Sequence, residues 1–84
     1  DLSMAEMMKL HQFESCPYCK MVRELMSDLQ LTYININVPR DRSQRQEVLQ
    51  VSGQPTVPVL VDGDVVLDDE EKIIPYLREK YGKQ

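Results

Sequence analysis

Only two cysteines, one histidine and no extended apolar stretch occur in this chain of 84 residues, and each scarcity excludes something. The longest apolar runs, such as residues 57–61, fall far short of the ~20 residues that a membrane-spanning helix requires. The first residues have neither the basic start nor the apolar stretch of a secretory signal. Positive charge is also in deficit. Fourteen acidic residues against ten basic ones leave a net charge of −4, with no basic stripe interleaved with aromatics to neutralise phosphates. Neither nucleic acid nor membrane is therefore an expected partner, and a soluble, cytoplasmic monomer is the expectation. Repeats, linkers and low-complexity tracts are absent too. A chain this short buries only about two thirds of its surface on folding, which allows one small core and no second domain. Residues 1–6 are set aside as a disordered or vector-derived leader, and residues 7–82 are expected to form a single domain.

The two cysteines stand together in Glu14-Ser15-Cys16-Pro17-Tyr18-Cys19-Lys20, as a staple, half of a metal site or a reactive pair. Small secreted scaffolds rely on several disulfides rather than one. A Cys-x-x-Cys bridge also closes a loop of only a few residues, which constrains the unfolded chain very little. Structural zinc needs four ligands, and only His11 is available as a third nitrogen or sulfur donor. No metal is expected; His11 reads as an ordinary strand residue.

The pattern along the chain places this pair. Residues 8–13 have the length of a strand. From Pro17 the period becomes helical, with Tyr18, Val22, Leu25, Met26 and Leu29 on one face. Pro17 suits the first turn, where its missing N–H has no partner anyway. Residues 31–38 alternate, with Ile34, Ile36 and Val38 opposed to Asn35 and Asn37, and predict a second strand. Residues 41–51 predict a polar helix closed by Gly53. The run over 57–61 predicts a strand covered on both faces, and Asp62-Gly63 a tight turn into a short strand over 65–67. Asp68, Asp69, Glu70 and Glu71 then open an amphipathic helix whose acidic first turn complements the helix dipole. The order β-α-β-α-β-β-α predicts an α/β fold, a four-stranded mixed sheet flanked by three helices.

In this arrangement the first strand delivers Cys16 to a helix N-terminus, at the strand end where open α/β sheets place their sites. The thiolate is the reactive form of cysteine, and a helix N-terminus favours it. Cys16 is the residue in that position and is expected to be an exposed nucleophile. Cys19, one turn deeper, is expected to be shielded yet close enough to attack a mixed disulfide formed at Cys16. Lys20 and Arg23 add positive charge nearby, although both suit a solvated face.

The motif CPYC after a strand, TVP at residues 56–58 and the acidic opening of the last helix resemble the glutaredoxins, of the thioredoxin-like fold. The ending GDVVLDDEEKIIPYLREKYG is similar to the N-terminal domain of glutathione transferases. Together the likeness spans residues 7–82. It implies a dithiol oxidoreductase that exchanges thiols and disulfides, with Cys16 as nucleophile, Cys19 as resolving thiol and glutathione as co-substrate. Its partners would be disulfide-containing or glutathionylated proteins. The resemblance also implies that Pro58 is a cis-proline facing the site and that Val57 pairs its backbone with the cysteinyl part of glutathione. Asp69 and Glu70 would hold the γ-glutamyl end, Tyr18 would flank the sulfur, and Gln54 would reach the glycine carboxylate. Cis bonds are essentially confined to X-Pro, and a proline in a strand-like run calls for a special reason. One position departs from the pattern: Phe13 stands where many glutaredoxins carry Lys or Arg. Arg40 or Arg42 is the available substitute, although these residues and Arg45 also read as a solvated face. The departure keeps open a redoxin served by thioredoxin reductase, and a binding module of the same fold, for glutathione or an iron–sulfur cluster, is the alternative from another class. Tyr33, Tyr76 and Tyr81 read as packing residues.

Overall fold

The computed structural model describes residues 7–82, so the leader assigned to residues 1–6 lies outside the described residues. Its elements follow the expected order. Strand β1 spans Lys9–Gln12, helix α1 Pro17–Asp28, β2 Ile34–Asn37, α2 Gln46–Ser52, β3 Val59–Asp62, β4 Val65–Leu67 and α3 Glu70–Tyr81. The four strands form one mixed sheet in the order β2-β1-β3-β4; β1 runs parallel to β2 and antiparallel to β3. This is the thioredoxin-like α/β architecture expected from the sequence.

Alternation along the central strands divides the core between the two sheet faces. Leu10 of β1 and Leu60 of β3 point to one side and meet Val22 and Met26 of α1 and Ile73 and Leu77 of α3, all fully buried. The opposite face, toward which His11 and Val59 point, is covered by α2, whose Val48 is fully buried. His11 is thus a buried strand residue whose Nδ1 has no hydrogen-bond partner among the described residues. Burial lowers its pKa, against the opposing field of Glu47.

Three local expectations are corrected. The helix drawn over 41–51 is broken: Arg42–Gln44 forms a 3₁₀ turn, and the α-helix begins only at Gln46. The break falls at Arg45, whose φ of −90° and ψ of 56° are not helical. The strand drawn from residue 57 begins at Val59, because Pro58 has no N–H to give to a ladder. The hairpin loop is Gly63-Asp64 rather than Asp62-Gly63; Asp62 still pairs with Val65, and Gly63 takes the positive φ of 61°.

Asp62 owes its place to the helix above it. Its carboxylate accepts hydrogen bonds from the hydroxyls of Tyr76 at 2.7 Å and Tyr81 at 2.6 Å, and from Lys80 Nζ at 3.1 Å. Tyr76 and Tyr81 do pack against the core, as expected, yet they also anchor α3 to the end of β3. Burial alone raises the Asp62 pKa, but the bonds from Tyr81, Tyr76 and Lys80 outweigh it and hold the carboxyl below its ordinary value of 3.8. A carboxyl depressed by folding contributes stability that is complete above the unfolded pKa and is lost as pH falls through the folded one. Asp62→Asn is therefore expected to lower Tm at neutral pH and to flatten the decline in stability below about pH 4. Thermal melts of both proteins between pH 2 and 7 check this, and parallel acid limbs would rule it out.

Candidate active site

The site is built where β1 hands the chain to α1. After Gln12, residues 13–15 turn, and the Cys16 N–H donates to the Phe13 carbonyl at 3.2 Å. Cys16 is the N-cap of α1, in an extended conformation with φ −76° and ψ 121°. Its Sγ accepts the backbone N–H of Cys19 at 3.3 Å, satisfying one of the orphan donors of the first turn. Pro17 follows at the first helical position, as its missing N–H dictates.

Both cysteines are free thiols. Cys19 is completely buried, and burial, with the hydrogen bond to Cys16, pushes its thiol up to about 12 against the lowering effects of the Phe13 backbone and Arg23. Cys16 is more enclosed than a fully exposed nucleophile: only 6% of its surface is accessible. It reaches solvent through a pocket of about 410 Å³. One wall is formed by Phe13, Pro17 and Tyr18, another by Arg40, Arg42 and Arg45, and a third by Thr56 and Val57.

Tyr18 belongs to this wall and not to the core stripe of α1 that the helical period suggested; it is 55% exposed. Val57 also lines the pocket, and the Val57–Pro58 peptide bond is cis, as expected. Gln54 lies on the exposed loop after α2 and is not among the lining residues. Asp69 and Glu70 are likewise outside the lining, at the start of α3. Asp69 is the N-cap, its Oδ1 accepting the Glu71 N–H at 2.8 Å. Burial, reinforced by Asp69, raises the Glu70 carboxyl above its usual pKa.

Arg23 is not merely solvated. It reaches from α1 to the side chain of the fully buried Gln12 and donates to the Glu14 carbonyl at 3.2 Å, bracing the turn before Cys16. Gln12 in turn donates to Asn37 Oδ1 at 2.9 Å, joining β1 to β2 just below the site.

The residue that reading the sequence missed is Arg45. Expected on a solvated face, it is 6% exposed. Its guanidinium donates through Nε to the Pro39 carbonyl, through Nη2 to that of Arg40 and through Nη1 to that of Pro55, each at 2.8 Å. It also lies 5.2 Å from the centre of the Phe13 ring, in cation–π range. The clamp joins the loop after β2 to the loop that carries Thr56 and Val57, so it shapes two walls of the pocket. A signal was present: Arg45 precedes Val48, the buried residue of α2, by three positions, one helical turn.

Among the described residues no helix is long and apolar enough to cross a membrane. A family model described as "Glutathione S-transferase, N-terminal domain" matches residues 10–84. A glutaredoxin-like 8.6 kDa protein of the rubredoxin operon of Clostridium pasteurianum is 31% identical over 75 residues, covering 88% of this chain and all of the relative. Glutathione S-transferase Z1 of Arabidopsis thaliana is 35% identical over 78 residues, 90% of this chain but 35% of the transferase. Among solved structures, a glutathione transferase homologue of Drosophila mojavensis with bound glutathione superposes with a TM-score of 0.85 at 32% identity, covering 93% of this chain and 36% of that one. The chain thus spans about a third of the length of these transferases and the whole of the clostridial relative.

Proposed function

The chain belongs to the glutathione S-transferase N-terminal domain family, and from that premise we propose that it is a glutaredoxin-like dithiol oxidoreductase. It reduces protein disulfides, or removes glutathione from mixed disulfides, with glutathione as reductant. The observation that carries this reading is the pairing of two free thiols on one helical turn, of which only Cys16 opens onto the pocket. Cys16 Sγ stands at the N-cap beside a pocket, and Cys19 is sealed beneath it.

The steps follow from that asymmetry. Cys16, as thiolate, attacks one sulfur of a substrate disulfide; a bond forms between Cys16 Sγ and that sulfur, and the other leaves as a thiolate that takes a proton from water. Cys19 holds its proton in the resting protein because burial disfavours its anion. Once Cys16 carries the mixed disulfide, Cys19 loses its proton and attacks Cys16 Sγ, expelling the reduced substrate and leaving a Cys16–Cys19 disulfide. Two glutathione thiols return the two electrons and leave as glutathione disulfide. In the same pocket, Arg40 and Arg42 supply the positive charge that Phe13 does not, which supports glutathione over a reductase protein as the electron source. The proposed setting is the reducing cytoplasm, where a free dithiol persists, with the protein acting as a monomer.

Coupled turnover tests the reading. NADPH consumption with glutathione, glutathione reductase and a protein disulfide is the expected result. Turnover with thioredoxin reductase and none with glutathione would replace the reductant. A second reading, glutathione binding without turnover, is favoured by the transferase relatives of which this chain covers only a third; calorimetric binding of glutathione with no disulfide reduction would select it.

A further inference from the structure

Resting on the dithiol reading above, we propose that Arg40 and Arg42 select disulfides held in acidic peptide segments, so that the preferred partner is a protein whose reacting cysteine is flanked by aspartate or glutamate. The nine residues lining the Cys16 pocket include three arginines and no carboxylate, in a chain whose net charge is −4. The three arginines are not equivalent. Arg45 is buried, and three of its five donors are taken by the carbonyls of Pro39, Arg40 and Pro55. Arg40 and Arg42 are exposed, and neither side chain has a hydrogen bond or ion pair among the described residues.

No carboxylate lines the pocket, and neither Asp41 nor Glu14 forms an ion pair with Arg40 or Arg42 among the described residues. Asp41 Oδ1 accepts the Ser43 N–H at 3.0 Å and the Ser43 hydroxyl at 2.8 Å, turned in to cap the 3₁₀ turn. Glu14 pairs with Arg23 at 3.7 Å. The mouth therefore presents two uncommitted cations in a surface that is otherwise net acidic. Such an arrangement attracts an anionic segment at one place and repels it elsewhere, which orients an encounter as well as strengthening it. It acts on the first chemical step, when Cys16 attacks the partner's disulfide, forms the mixed disulfide and releases the partner's second sulfur as a thiolate. Cys19 then resolves the intermediate, and glutathione supplies the two electrons.

A single-turnover experiment isolates that step from glutathione, which carries carboxylates of its own. The fully reduced protein is mixed with either of two peptides of equal length, each with one intramolecular disulfide, flanked in one by Asp and Glu and in the other by Lys. A third arm uses bis(2-hydroxyethyl) disulfide, which is neutral. Oxidation of Cys16 and Cys19 is followed by alkylation quench and mass spectrometry. At low salt the acidic peptide is expected to oxidise the protein roughly tenfold faster than the basic one, the scale of two exposed charge pairs acting together. The ratio should shrink as salt shortens the screening length, and collapse toward one in the Arg40→Gln/Arg42→Gln variant, whose exposed substitutions leave the core untouched. Equal rates for the two peptides in the native chain, or a preference undiminished in the double variant, would overturn the proposal while leaving the dithiol reading intact. Failure of all three disulfides, the neutral one included, would remove the dithiol reading and the selectivity with it.

Discussion

Cys16→Ser is expected to lower disulfide reduction and deglutathionylation by at least about a thousandfold while leaving the fold in place. A serine hydroxyl cannot serve as the thiolate nucleophile, so the first bond never forms. The same substitution keeps the structural role, since serine is among the best N-cap residues and its Oγ can accept the Cys19 N–H that Sγ accepts now. Activity and stability therefore separate at one atom. Cys19→Ser should behave differently: reactions ending at a Cys16–glutathione mixed disulfide continue, because a second glutathione resolves that intermediate, whereas reduction of protein disulfides stalls at the mixed disulfide with the partner. Steady-state kcat/KM for both reactions, with thermal melts alongside, checks the pair. Retention of activity within tenfold in Cys16→Ser would place the nucleophile elsewhere, and a melt displaced by more than a few degrees would show that Sγ does more than cap α1.

Arg45→Met is expected to destabilise the protein by about 3 kcal/mol, the largest loss anticipated for a polar side chain here. Methionine keeps much of the packing volume but removes all three donors, stranding the carbonyls of Pro39, Arg40 and Pro55. Hydrogen bonds from a charged group contribute about 1.5–3 kcal/mol each. Partial rehydration of the two loops keeps the sum well below three full bonds. Against a total of roughly 5–15 kcal/mol for a domain, such a loss is substantial. Arg45→Lys should recover less than half, because an ammonium cannot fan planar donors toward three carbonyls at once or stack on Phe13 as a guanidinium does. Urea unfolding of the three proteins measures this. A loss under 1 kcal/mol for Arg45→Met would mean that water already satisfies those carbonyls in solution.

Several features were legible in residue order because local physics decides them. Pro17 and the period of Val22, Leu25, Met26 and Leu29 mark the start and buried face of α1, and an N-terminal turn needs a cap, so Cys16 and Cys19 could be given distinct places from spacing alone. Alternation in β2 and the continuous apolar run of β3 likewise announced a second strand and a strand covered on both faces, and the resemblance carried by CPYC and TVP pointed to the thioredoxin-like order and the cis bond before Pro58. Local patterns fail where a side chain takes its partners from distant segments. Arg45 sits in a run of polar residues that reads as solvated, yet its donors find carbonyls six residues before it and ten after, and the backbone breaks the helix to let them meet. The same holds for Asp62, which sequence assigned to a turn and the structure holds in a knot of Tyr76, Lys80 and Tyr81 up to nineteen residues away. The sequence by itself determined where the two cysteines stand, at the start of α1, and the order of elements, since capping, period and proline chemistry act over a few residues. Only the tertiary structure decided what surrounds the sulfur, because enclosing Cys16 among three arginines and the Val57 loop requires segments some forty residues apart to close on one pocket.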